Sequence, residues 1–223
     1  REKELHIHGP KGIKEVINIQ LKHSKSYVKY KIIFHELNSA ESELIFEDEK
    51  VKVYTIPLNH RVYTNGFLFK EKEKSRKINI SAVKKFKEID ICDYNNLKAG
   101  KDFKLDSGDV IKNSELTCNP EKPLSYAYCS DTSYKPSIVE IINGVDLLYH
   151  ESTFLTDKED LAAKTGHSTA KQAATIAKKA NVKKLVLGHY SSRYKNISLF
   201  KEEAQEVFKN VSLAETGRVF SSK

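Results

Sequence analysis

KLVLGHYSSRY (184–194) joins an apolar run, residues 184–188, to a polar cluster that begins at His189. The run has the length and branched content of a buried strand, so the cluster falls at a strand end. Two other stretches repeat the arrangement. VKVYTIPL (51–58) leads into NHRVYTNGF (59–67) around His60, and KPLSYAY (122–128) leads into CSDTS (129–133) around Asp131. Strand ends and the loops beyond them are where α/β proteins hold metals and substrates. Two imidazoles and a carboxylate delivered in this way suit zinc or a similar divalent ion. Each residue alone has a plainer role, because a His after a strand is commonly half-buried without function and an Asp in a Ser-Asp-Thr turn commonly caps or turns the backbone.

Working outward, the 223 residues are 39% hydrophobic, enough for one globular domain over 1–223. No apolar run approaches the ~20 residues of a membrane span and no signal peptide opens the chain, so a soluble cytoplasmic protein is expected. Cys92, Cys118 and Cys129 lack CxxC spacing and suggest neither a disulfide framework nor a thiolate zinc knuckle; Cys129 reads as a small core residue. The net charge of +8 favours a polyanionic partner. Residues 70–104 carry 11 Lys or Arg against 6 Asp or Glu and interrupt the fold between the His60 and Asp131 strands. Within them INISAVKKFKEI (78–89) reads as an amphipathic helix, with Ile80, Val83 and Phe86 on one face and Lys84, Lys85 and Lys87 on the rest.

Extended segments are expected at SYVKYKIIF, VKVYTIPL, GFLFK, LSYAYCS, VDLLYHE, KLVLGHY and SLAETGRVF, and helices at PKGIKEVINIQLKH, PSIVEIING and LFKEEAQEVFKN. The clearest helix is 169–180, where Ala170, Ala173, Ala174, Ile176, Ala177 and Ala180 recur at helical spacing and Ser168 is placed to cap. His167 then stands just before a helix start, whose free N–H groups attract phosphate, although a plain capped helix beside an exposed His fits the same residues. The mixture of elements is α/β.

Six segments in chain order carry a closer likeness: LHIHGPKGIKEVI (5–17), NHRVYTNGF (59–67), YCSDTS (128–133), DLLYHESTF (146–154), GHSTAKQAA (166–174) and LGHYSSRY (187–194). Together they resemble the ribonuclease Z (tRNA 3'-end endonuclease) family of the metallo-β-lactamase fold, an αββα sandwich. The resemblance implies His60 and His189 as zinc ligands and Asp131 as the carboxylate bridging two zinc ions. A shared water, as hydroxide, would attack the phosphorus after the discriminator nucleotide of precursor tRNA, leaving a 3'-hydroxyl on the tRNA. His167 would be the proton donor or stabilise the phosphorane charge, with Glu151 orienting it or a ligand. Arg193 would clamp phosphate, and Ser191, Ser192, Tyr194, Ser168 and Thr169 would add contacts. The 70–104 insertion would be a shortened tRNA-binding arm gripping through Lys84, Lys85 and Lys87, and a homodimer is implied.

The family's His-x-His-x-Asp-His signature belongs upstream of GPKG and does not occur in these residues. With no Met either, the chain reads as the later part of a longer protein whose fold is incomplete at the N-terminus, binding metal weakly and inactive alone. Two other readings stand beside it: another hydrolase of the fold, acting on a phosphodiester, arylsulfate or thioester, and a non-catalytic tRNA-binding half.

Overall fold

A computed structural model describes residues 2–221. They divide into two units, residues 2–70 with 124–221, and Glu71–Pro123.

The larger unit is built on a seven-stranded sheet. Its spatial order is Val211–Leu213, Lys184–Gly188, Leu147–Glu151, Ser125–Cys129, Asn65–Glu71, Val51–Pro57 and Leu44–Glu47. The first four strands run parallel, and Ser125–Cys129 then pairs antiparallel with Asn65–Glu71. Leu148, Leu185 and Leu187 are fully buried, as residues in parallel strands covered on both faces should be. The helix Ala170–Lys179 supplies a face of Ala170, Ala173, Ala174, Ile176 and Ala177, all wholly buried, and small side chains there let the helix lie close to the sheet. Phe200 and Ala204 of helix Ser198–Gln205 complete that core. Cys129 is wholly buried, as expected of a core residue. Separately, Leu5–Pro10 and Ile32–Leu37 form a parallel two-stranded ladder followed and preceded by helix Ile13–His23.

Several expected elements are shorter than their sequence pattern. PSIVEIING forms only a 3-10 turn, Pro136–Ile138, followed by turns that end at Gly144, whose φ of 69° is left-handed. SLAETGRVF is a strand only at Val211–Leu213, and SYVKYKIIF only from Ile32. The 169–180 helix is capped by Thr169, whose side chain accepts from Gln172 N in a reciprocal capping box, and not by Ser168.

The smaller unit, Glu71–Pro123, extends past the 70–104 arm read from charge. Lys77–Ile78 pairs antiparallel with Thr117–Cys118, so residues after 104 close the unit. Its core is Val83, Ile89, Leu97 and Leu116, with buried Asn113 donating to the carbonyls of Leu97 and Lys101. Over the whole unit 12 Lys or Arg face 10 Asp or Glu, so the local surplus is largely balanced by residues beyond 104. The expected amphipathic helix is α-helical only over Ile80–Val83. From there Lys85, Phe86 and Ile89 bond to carbonyls three residues back, which keeps Val83, Phe86 and Ile89 on one inward face. Ile80 is 47% exposed, off that face. Lys84, Lys85 and Lys87 are exposed.

Candidate metal centre

The site lies at the carboxyl ends of the parallel strands. Asp131 follows Ser125–Cys129, Glu151 ends Leu147–Glu151, and His189 follows Lys184–Gly188 directly. Asp131 and His189 both have left-handed backbones, with φ of 55° and 62°. Non-glycine residues rarely hold such angles, at roughly 1–2 kcal/mol each, and they concentrate where side chains must be aimed out of a loop.

Glu151 is the organising group. Its side chain is fully buried, and its Oε1 accepts from Thr132 N at 2.8 Å and from His167 Nδ1 at 2.8 Å. Oε2 accepts from Thr153 N at 3.1 Å, Thr153 Oγ at 2.6 Å and Ser168 N at 3.2 Å. One carboxylate thereby ties together the loops after three different elements.

These bonds fix the imidazole tautomers. The Thr153 hydroxyl donates to Glu151, so its oxygen accepts from His189 Nδ1, 2.8 Å away. His167 donates from Nδ1 to Glu151, and His60 donates from Nδ1 to the Gly166 carbonyl at 3.0 Å. All three rings hold their Nδ1 proton in a protein hydrogen bond, which turns Nε2 into the outward lone pair, the arrangement of metal-ligating histidines. Gly166 makes the His60 contact possible: at φ 78° it suits glycine, and a Cβ there would lie 2.6 Å from His60 Nδ1.

His189 Nε2 faces Asp131 Oδ1 at 3.3 Å. Two lone-pair donors at that distance need a proton or a cation between them, and 3.3 Å is about the spacing of two ligands each roughly 2.0–2.2 Å from one tetrahedral zinc. Ligand atoms of Asp131, His167 and His189 lie within 4.8 Å of one another, close enough for the three side chains to gather around a metal ion. His60 is not in that mutually close group. Its ring stands 5.2 Å from that of His167, which in turn stands 5.2 Å from that of His189. Of the expected trio, Asp131 and His189 lie within ligand reach of each other, whereas His60 stands beside His167, which takes the place in the close group that the sequence reading gave to His60.

The remaining sequence candidates divide. Arg193 and Ser192 are exposed, and Arg193 bonds only to Ser191 Oγ, at 3.3 Å from Nη1 and 3.4 Å from N, with no carboxylate partner among the described residues. Ser168 and Thr169 do not present hydroxyls to a substrate. Both are buried, Ser168 Oγ donates to the Thr132 carbonyl at 2.7 Å, and Thr169 caps its helix. Tyr194 is likewise committed: its hydroxyl donates to Asp157 at 2.8 Å, accepts from Leu155 N, and its ring meets Phe200 edge-on. Thr153 was missed by the sequence reading, although a Thr two residues after Glu151 in ESTF is the only signal it leaves.

Comparison with known proteins follows the same residues. The Beta-lactamase superfamily domain model matches residues 120–190. Ribonuclease Z of Porphyromonas gingivalis strain W83 is 45% identical over 205 residues, covering 92% of this chain and 67% of that protein. The chain belongs to the ribonuclease Z family. Ribonuclease Z of Cytophaga hutchinsonii is 45% identical over 221 residues, 99% of this chain and 70% of that protein. The crystal structure of human tRNase Z, short form, superposes with a TM-score of 0.62 at 24% identity, over 98% of this chain and 68% of that one. A metallo-β-lactamase fold protein of Bacillus subtilis matches with a TM-score of 0.59 at 17% identity, over 97% of this chain and 65% of that one. The fold of this ribonuclease Z family member is the metallo-β-lactamase fold. Among its described residues no helix is long and apolar enough to cross a membrane.

Proposed function

We propose that the chain carries part of the active centre of a zinc-dependent endoribonuclease that removes the 3' trailer of precursor tRNA. The observation that carries this reading is the set of three imidazoles, His60, His167 and His189, each with Nδ1 held by the protein and Nε2 outward, around the Asp131 carboxylate. Asp131 and His189 would hold the metal, with a further Nε2 from His60 or His167. Zinc, when bound, supplies Lewis-acid polarisation of the scissile phosphodiester.

The rest is done by the chain itself. Where His60 is the third ligand, His167, its Nδ1 proton committed to Glu151, turns Nε2 toward the departing O3' of the discriminator ribose and relays to it the proton given up by the attacking water. With the oxygen of a water joined to phosphorus and the P–O3' bond broken, the products are a 3'-hydroxyl on the tRNA and a 5'-phosphate on the trailer. Arg193, permanently charged and without an acidic partner among the described residues, contacts a phosphate beside the cut. Lys84, Lys85 and Lys87 on the smaller unit contact the tRNA body through its backbone. A single cluster of three donors supports one weakly held ion, so the chain by itself turns over little.

Three measurements test this. Zinc titration of the chain gives about one ion, lost in Asp131→Ala and His189→Ala. Of His60→Ala and His167→Ala, the ligand variant loses metal and the proton-donor variant keeps it. The chain binds precursor tRNA bearing a 3' trailer more tightly than an unrelated RNA of the same length. Zinc uptake indifferent to Asp131 and His189, or equal affinity for both RNAs, refutes the proposal.

A further inference from the structure

Thr153 is 7% exposed and engages every polar group it has. Its N–H and hydroxyl both donate to Glu151 Oε2, at 3.1 and 2.6 Å, and its carbonyl accepts from Ser191 N at 3.0 Å. Just before it, Ser152 N donates to the Gly188 carbonyl at 2.8 Å. Adjacent residues thus hold Gly188 and Ser191, and His189 and Tyr190 loop out between those two bonds. The backbone bonds fix where this loop begins and ends, not where its side chains point. Tyr190 is aimed by its own contacts: its hydroxyl donates to the Leu187 carbonyl and accepts from Ala214 N, and its ring packs on Phe200.

His189 is less confined. Its side chain is 40% exposed, and a proton on its ring has two competing acceptors. Nε2 faces the Asp131 carboxylate at 3.3 Å, and Nδ1 faces the Thr153 oxygen at 2.8 Å. A charged acceptor is ordinarily the stronger, so an unguided ring would put its proton on Nε2 and remove the lone pair that a metal needs. Thr153 reverses that preference. Its hydroxyl carries one proton, which the acceptor-only Glu151 carboxylate holds at 2.6 Å, so the oxygen offers His189 nothing but a lone pair. A ring protonated on Nε2 alone would set two lone pairs against each other at 2.8 Å. The branched Cβ of threonine also leaves χ1 little freedom, which keeps the oxygen between its two partners.

We infer that Thr153 is the positioning residue for the His189 ligand: its hydroxyl passes the hydrogen-bond polarity of Glu151 on to the ring, so that Nδ1 keeps the proton and Nε2 is left for the metal. This rests on the reading of His189 as a metal ligand and adds the group that holds its tautomer against the pull of Asp131. The carbonyl of the same residue has a separate part. It anchors Ser191, whose hydroxyl accepts from Arg193 N and Nη1 at 3.4 and 3.3 Å. A change confined to the Thr153 side chain therefore disturbs His189 and leaves the Arg193 loop in place.

The test uses Thr153→Val, which keeps the branched shape without the hydroxyl, and Thr153→Ser, which keeps the hydroxyl. In the metal-free chain at about pH 8.5, where imidazoles are neutral, long-range ¹H–¹⁵N correlation finds the His189 proton on Nδ1 in the wild type and Thr153→Ser, and on Nε2 in Thr153→Val. Zinc affinity falls about 10–100-fold in Thr153→Val and stays within about threefold of wild type in Thr153→Ser. The Ser191 amide exchanges with solvent at the wild-type rate in both variants, which a general loosening of the loop would not allow. A His189 proton on Nε2 in the wild type, or on Nδ1 in Thr153→Val, overturns the inference, as does zinc binding equally weak in the two variants or a freed Ser191 amide. Should Thr153→Val not fold, the wild-type tautomer and the Thr153→Ser affinity decide by themselves. A wild type that takes up no zinc removes the metal reading of the centre and the ligand role with it, whatever the tautomers show.

Discussion

Glu151→Gln tests the organisation of the centre with the smallest change of shape. The carboxylate serves five donors, two on Oε1 and three on Oε2. An amide keeps a single oxygen, and the arrangement that preserves most bonds sets it against Thr153 and Ser168. The NH2 group then faces Thr132 N–H and His167 Nδ1. His167 can respond by moving its proton to Nε2 and accepting at Nδ1. The Thr132 amide cannot respond and is left as a buried donor without a partner, at about 1–3 kcal/mol. At ~2–4 °C per kcal/mol for a chain of this size, a central value of ~2 kcal/mol lowers Tm by roughly 4–8 °C. The switched tautomer points Nε2–H outward in place of a lone pair. Zinc affinity, if His167 is a ligand, falls about 10–100-fold, as for other lost supporting carboxylates. Chemical denaturation reads the stability, and long-range ¹H–¹⁵N correlation of the imidazole rings reads the tautomer. An unchanged His167 tautomer together with a stability within ~0.5 kcal/mol of wild type would refute the reasoning.

Gly166→Ala places a Cβ 2.6 Å from His60 Nδ1 at a left-handed φ, so we expect a loss of about 1–3 kcal/mol, with the His60 ring resonances displaced; unaltered melting and His60 shifts would count against the contact. His150 is fully buried and burial is the main cause of its lowered pKa, outweighing its bond to the Glu151 carbonyl. Its unfolded form protonates first as pH falls below ~6.5, so stability is lost below that value by at most ~1.4 kcal/mol per pH unit for this group, and His150→Leu flattens the profile measured by denaturation between pH 7.5 and 5.5. Burial also pushes the Cys129 thiol up to about 12, whereas Cys92 and Cys118 are exposed. A thiol reagent at pH 8 should modify Cys92 and Cys118 quickly in the native chain and Cys129 only on unfolding, and rapid labelling of all three would contradict the core placement.

The strands that carry the centre were legible because their apolar runs are local and contiguous. Lys184–Gly188, Leu147–Glu151 and Ser125–Cys129 follow from composition alone, and with them the positions of His189, Glu151 and Asp131 at strand ends. The extent of the smaller unit was not legible, because it is set by Asn113 and Leu116 packing back on Leu97, contacts that leave no periodic trace. The same holds for Thr169 displacing Ser168 as the cap. Either residue satisfies the local pattern, and only the distant Thr132 carbonyl draws the Ser168 hydroxyl away. The roles of His60 and His167 depend on which Nε2 points at a common centre, a matter of ring placement that spacing does not encode.

The left-handed backbones at Asp131 and His189 bear on how such a chain would change over generations. Glycine or asparagine at either place would relax the loop, so the substitutions that abolish the chemistry are the same ones that firm up the scaffold. A lineage released from the need to cut RNA should drift toward those residues first. Its descendants would melt at higher temperature than their working ancestor.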